Sequence, residues 1–261
     1  MHFFRKRFIA ALPAFLLAWA AAAGAPEADG PKGDALLKAM SRKLAAAATF
    51  SFSTAEFHDR VKRTGEREQI EATREVVVRR PNGFWTKYAG GRDWEIWYDG
   101  KLLTGVSGAK KVYIQHEMPP TLDQTMDTLA MRFNVDLPMS DVLYSSPYDA
   151  FMDAKTKGGF VGKEVIEGAS CNHLVYSGVA ADWQLWIGEK DSLPCRLEMT
   201  YKTEPGPPFH RITFSKWNLS AQVKDGTFAF KIPEGFSRIS MLERVILQTA
   251  PQTQTAPSNQ Q

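Results

Sequence analysis

From residue 73 onward the chain is built of short runs that alternate apolar and polar residues. Each run closes on a turn signal, and one block of helical periodicity interrupts the series. Alternation with a period of two marks strands buried on one face, and short connections force antiparallel pairing. The runs are Thr73–Arg79, Phe84–Tyr88, Asp93–Tyr98, Lys101–Val106 and Lys111–Gln115. After the helical block come Lys163–Ile166, Asn172–Tyr176, Asp182–Ile187, Cys195–Lys202, His210–Leu219 and Thr227–Ile232. Asp99-Gly100 is a strong two-residue hairpin signal, and Pro81-Asn82-Gly83 and Asp225-Gly226 read as turns. Strands, then helices, then strands make an α+β domain with an antiparallel sheet.

The interruption starts at Thr121-Leu122-Asp123-Gln124, a capping-box pattern directly after Pro119-Pro120. Leu122, Met126, Leu129 and Phe133 then recur at helical spacing. Shorter helices are expected over Ser140–Ser145 and Pro147–Ala154. An earlier helix is expected from a cap at Asp34 to about Ala48, with Leu36, Leu37, Met40 and Leu44 on its apolar face. Five of the nine methionines fall between Met118 and Met152. Their pliable side chains suit either ordinary core packing or an adaptable cavity.

Alternation also assigns faces. Trp94, Ile96 and Tyr98 point one way, as do Trp183, Leu185 and Ile187, and Cys195, Leu197, Met199 and Tyr201. Phe228, Phe230 and Ile232 form a similar set. One sheet face is therefore heavily apolar and aromatic, and something must cover it: the helices, a ligand, or both.

The formal charge of +3 comes from 32 basic and 29 acidic residues. Arg5, Lys6 and Arg7 belong to an N-terminal segment that carries no acid and runs into the apolar stretch Phe8–Ala23. This is the pattern of a secretory signal peptide over residues 1–23, with Gly24 as the first mature residue. The remainder, 29 basic against 29 acidic, is neutral and offers no footprint for nucleic acid. No later run is apolar enough to span a bilayer, so a soluble protein outside the cytoplasm is expected, without a membrane span once the signal is cleaved. Residues 24–33 read as a flexible Pro/Gly lead-in, 34–236 as one domain, 237–248 as a short amphipathic helix and 249–261 as a disordered polar tail.

Cys171 and Cys195 are the two cysteines. In an oxidising compartment an even count points to a disulfide. The spacing argues the other way. One strand lies between them, and two inter-strand steps are about 9–10 Å against the roughly 7 Å a bridge tolerates. A bulge would close that gap.

His58, His116, His173 and His210 form no metal-ligand spacing, and Gly168-Ala169-Ser170-Cys171-Asn172 lacks the final glycine of a nucleophile elbow. No catalytic constellation and no cofactor motif emerges, so a non-enzymatic role is expected.

Several fixed words occur in order: Arg80-Pro81-Asn82, Tyr98-Asp99-Gly100-Lys101, Cys171-Asn172-His173-Leu174, Asp182-Trp183-Gln184-Leu185-Trp186, Trp217-Asn218 and Phe228-x-Phe230-x-Ile232-Pro233. Together they resemble a family of predicted periplasmic bacterial proteins of unknown function, similar in turn to the LolA/LolB-like superfamily of lipoprotein carriers. The resemblance implies a strongly curved antiparallel sheet, an unclosed barrel, with helices on its concave face and an acyl chain or lipid held between them. The family itself has no established activity to carry over; from the faces that alternation and helical spacing assign, Trp94, Ile96, Tyr98, Trp183, Leu185, Leu197 and Met199 are expected to form a ligand wall, with Met126, Leu129 and Phe133 as its lid. The competing reading is an envelope interaction module whose cavity is filled by its own side chains, with another envelope protein as partner.

Overall fold

A computed structural model describes residues 28–240, apart from 63, 91, 92, 134, 136, 138, 204, 205 and 225. The expected signal peptide, the first part of the lead-in, Asp225 and the polar tail lie outside the described residues.

Helix α1 spans Gly30–Ala45. It starts earlier than expected, because Asp29 rather than Asp34 caps it, accepting from the Lys32 amide at 3.0 Å. Pro31 fits the first turn, where an amide has no helical partner to lose. Residues 29–33 are thus cap and helix, not a loose lead-in. A long hairpin follows, β1 (Thr49–Val61) and β2 (Arg67–Arg79), paired without interruption over its whole length. Then come β3 (Gly83–Ala89), β4 (Trp94–Tyr98), β5 (Leu102–Ser107) and β6 (Val112–Glu117). The turn between β4 and β5 works as its sequence implies. Gly100 takes φ +98°, and the Asp99 carboxylate accepts from the amides of Lys101 and Leu102 at 2.9 and 2.8 Å.

The helical block is α2 (Leu122–Phe133), a single turn at Ser140–Val142, and α3 (Pro147–Phe151). Thr121 Oγ1 caps α2 by accepting from the Gln124 amide at 3.3 Å. Strands β7 (Lys157–Ile166), β8 (Ala169–Ser177), β9 (Ala181–Gly188), β10 (Pro194–Tyr201) and β11 (Phe209–Asn218) complete the succession of antiparallel pairs.

All strands join one sheet in the order β12-β6-β5-β4-β3-β2-β1-β11-β10-β9-β8-β7, where β12 is Ser237–Arg238. The two ends of this order do not meet, so the sheet is open. That is the unclosed antiparallel architecture the resemblance implies. A twisted sheet of this many strands coils on itself rather than lying flat.

Leu37, Met40 and Leu44 of α1 share one apolar cluster with Met126 and Leu129 of α2, Phe151 of α3 and one face of the sheet. That face includes Phe52, Val78, Ile96, Leu185, Leu197 and Phe214. We call it the inner face. Each fully buried aliphatic side chain there contributes about 1.5–3 kcal/mol relative to exposure.

Three expectations need correction. Thr227–Ile232 forms no strand. The segment crosses the outer face instead, where Phe228 covers Arg79 and Gly83 and Phe230 stacks on Trp97 with ring centroids 4.1 Å apart. A side chain on Gly83 would meet the Phe228 ring at 2.6 Å, so glycine makes that seat. Aromatic seating replaces hydrogen bonding because the strands beneath are already paired on both sides. The expected helix over 237–248 does not begin at Ser237: Ser237–Arg238 pairs parallel to Val112–Tyr113, and Ile239 donates to the Tyr113 carbonyl at 2.9 Å. Residues 241–248 lie outside the described residues. Finally, Cys195 does not share a face with Leu197, because a bulge between Pro194 and Arg196 turns it outward.

That bulge also decides the cysteines. Cys171 and Cys195 are joined, with Cα atoms 6.9 Å apart, although β9 lies between their strands. Cys171 faces Gly188 in the register, so no side chain stands between the two sulfurs. The bridge packs with Ile166 and Trp186 in a second apolar cluster.

Candidate functional site

The inner face can be followed in rows across the strands. One row runs Ile70, His58, His210, Met199, Trp183, Tyr176 from β2 to β8. Its β8–β10 end meets the helices. There Trp183 stacks on Tyr176 at 4.3 Å and packs against Phe151 of α3 at 5.2 Å. A cavity of ≈ 280 Å³ opens beside this contact, lined by Phe151, Trp183, Met199 and Tyr201 and by the turn from Gly178 to Ala181. Asp141 and Asp153 stand on its lining too. A second, adjoining depression of ≈ 510 Å³ shares Asp141 and Ala150 with it and also carries Asp123, Asp127 and Asp149.

The ten wall and lid residues named from sequence fall into one apolar cluster. Ile96, Tyr98, Met126, Leu129, Trp183, Leu185, Leu197 and Met199 are buried in it, and Trp94 and Phe133 pack against it. They do not share one surface. Trp183 and Met199 line the ≈ 280 Å³ cavity. Leu185 and Leu197 are fully buried, and Tyr98 is closed in with its hydroxyl donated to the Pro119 carbonyl. Phe133 stands edge-on to His116 at 4.8 Å.

Sequence reasoning missed Phe151 as a cavity residue. It did place Tyr201 on the correct face, one alternation step beyond Met199. It also missed the polar end of the same face. Glu56 and Arg74 form an ion pair at 2.7 Å, both side chains 8% exposed, and Thr54 donates to Glu56 at 2.8 Å. Arg74 also lies over the Tyr88 ring, 4.8 Å from its centroid. Burial by itself would raise the Glu56 carboxyl, but the adjacent guanidinium prevails and holds it below the usual carboxylate range. His58 and His210 face each other in the register, ring centroids 4.9 Å apart. Burial, reinforced by His58, pushes His210 down to about 4. The signal for this patch was there: Phe50, Phe52, Thr54, Glu56 and His58 are one alternating set that changes from apolar to polar along β1.

The arrangement brings an apolar, aromatic surface and a buried ion pair onto one face, which is the chemistry of binding and positioning. Among the described residues no three of His, Cys, Asp and Glu gather in a metal-sized cluster, and no helix is long and apolar enough to cross a membrane. The cysteines are bridged and supply no thiolate.

No curated protein matches the sequence. Among solved structures, a LolA superfamily protein from Nitrosomonas europaea superimposes at 11% identity and TM-score 0.38, over 74% of this chain and 97% of that one. A DUF1329 family protein from Desulfovibrio piger gives 11% and 0.35, over 75% and 95%. The MucA/MucB complex of Pseudomonas aeruginosa gives 13% and 0.38, over 75% of this chain and 61% of that one. Likeness at this level carries no argument about ligand or partner. The sequence itself is more telling: the family model described as predicted periplasmic protein (DUF2092) matches residues 33–242, and the chain belongs to this periplasmic family.

Proposed function

We propose that this periplasmic protein is a soluble binding or carrier protein for a hydrophobic ligand, an acyl chain or lipid, held where the helices meet the inner face. The observation that carries the reading is the aromatic-lined cavity of ≈ 280 Å³ between Phe151, Trp183, Met199 and Tyr201. Small-molecule sites are concave and largely apolar, typically from about 300 Å³ upward, and the adjoining depression extends this one. Removing a methylene from water is worth about 0.8 kcal/mol, so a modest chain binds without a charged anchor. Trp94, Ile96, Tyr98, Leu185 and Leu197 act in this reading as the packed floor behind the cavity, and Met126, Leu129 and Phe133 as the helical cover.

The test is a titration with the neutral apolar dye N-phenylnaphthylamine. The wild-type protein should enhance its emission saturably. Ala181→Phe, which places a ring in the cavity from the first residue of β9, should weaken binding by about ten-fold or more, equal to ~1.4 kcal/mol. Equal binding by both proteins would place the dye elsewhere and defeat the proposal.

A second reading rests on the packed state of the core. Leu185, Leu197 and Tyr98 are already buried by the chain's own side chains. This favours an envelope interaction module, with another envelope protein as partner and no catalytic role, if the cavity takes nothing.

A further inference from the structure

His58 and His210 are explained neither by the apolar cavity nor by the buried ion pair. They lie far apart in sequence and form no ligand motif there. The sheet brings them together: β1 pairs with β11, and the register sets the two residues directly opposite each other on the inner face. Their ring centroids are 4.9 Å apart and their planes are inclined by 42°. Both residues are half-buried, and no ring nitrogen of either is hydrogen-bonded to a described residue. The other histidines differ. His116 Nδ1 lies 2.6 Å from the Glu117 carbonyl oxygen, and His173 is held between Glu164 and Gln184 at 3.0 and 2.8 Å.

The spacing of the pair is the one that a single metal ion asks of two imidazoles. A metal lies about 2.0–2.1 Å from a ligating imidazole nitrogen, which puts the centroids of two such rings roughly 4.5–5.2 Å apart for ligand angles from a right angle to tetrahedral. The strands fix this spacing in advance, because β1 and β11 are each paired on both sides within the sheet.

The same row supplies a third donor. Met199 stands directly opposite His210 on β10. Side chains so placed have Cβ atoms about 4.5–5.5 Å apart, which brings the thioether within reach of an ion held by the histidines. Thioether sulfur is a soft ligand, and two imidazoles with a thioether select copper, as Cu(I), over zinc. The surroundings suit an ion of single charge, since the charged neighbours are paired among themselves. Glu56 holds Arg74 at 2.7 Å, Glu68 holds Arg60 at 2.6 Å and Asp59 holds Arg67 at 2.7 Å. Ile70 flanks His58, and the Tyr201 ring stands edge-on to His210 at 5.5 Å.

We infer that His58, His210 and Met199 form a binding site for one copper ion, held as Cu(I), on the inner face. The inference does not depend on an amphiphile in the cavity, whose lining includes neither histidine.

The experiment presents Cu(I) to the untagged, chelator-stripped protein as its ferrozine complex, without oxygen and with ascorbate as reductant, so that the Cys171–Cys195 bridge stays intact. The wild-type protein should withdraw one copper per chain and bleach the complex. His58→Gln and His210→Gln should each weaken copper binding by about ten-fold or more. Met199→Leu, a swap that conserves volume, should weaken it by about ten-fold, and His116→Gln should leave it unchanged. X-ray absorption of the copper-loaded wild-type protein decides even where a variant folds poorly: it should show two imidazole ligands and one sulfur. Failure of the wild-type protein to withdraw copper overturns the inference, as does undiminished binding by the folded His58→Gln or His210→Gln variant. A spectrum without sulfur overturns the thioether ligand and, with it, the assignment to copper.

Discussion

One row of the inner face carries two chemistries. At its β8–β10 end stand Trp183 and Met199, packed under α3 and lining a cavity. At its β1–β2 end stand Ile70 and His58, and the flanking positions of β1 and β2 hold the buried Glu56–Arg74 pair. Both ends obey the same alternation and face the same way. The difference shows that burial alone does not define a greasy wall. One end gains from removing apolar surface from water. The other must offset the desolvation of two charges by pairing them with near-ideal geometry.

Breaking each end in turn separates the two. Removing one member of the pair has the largest expected effect. Arg74→Met should cost about 3–5 kcal/mol in urea unfolding, because Glu56 is left charged and buried. Adding Glu56→Leu should return most of that loss, since a well-packed apolar pair avoids the desolvation penalty. Leu197→Ala at the apolar end should cost about 2–5 kcal/mol with no such rescue, because a cavity has no partner charge to remove. If the double variant is as unstable as Arg74→Met alone, the pair is not what distinguishes the polar end.

The next effect is a pH dependence confined to the polar end. His210 is lowered from 6.5 to about 4, so the unfolded chain takes up a proton more readily than the folded one. Stability from this group is complete above 6.5 and drains away as pH falls towards 4. The loss should be about 2 kcal/mol, allowing for its partial exposure. His210→Gln should flatten unfolding free energy across that window. An unchanged slope in the variant would show that His210 does not carry it.

Much of this was legible in the sequence, for reasons that differ by element. Asp99-Gly100 fixed its hairpin because one carboxylate and one positive φ settle the turn locally. The capping box fixed α2 in the same way. Most of the β1–β2 hairpin escaped notice because Glu56, Arg74 and the polar residues around them disguise a buried face as a solvated one. Thr227–Ile232 reads as a strand by alternation but has no ladder to join, since the edge that accepts this part of the chain pairs with Ser237–Arg238 instead. Cys195 changed face through a single inserted residue, and no period reveals that. Of the candidate site, Trp183 and Met199 followed from parity. Phe151 depended on how α3 docks, a long-range fact absent from local pattern.

The account stands on the cavity beside Trp183 being a place for a ligand. Native mass spectrometry of the protein released from the periplasm without organic solvent tests this most directly. The wild-type chain should carry a non-covalent adduct of amphiphile mass, and the cavity-filled Ala181→Phe variant should lack it. Bare chain mass for both, or the same adduct on both, would contradict the claim.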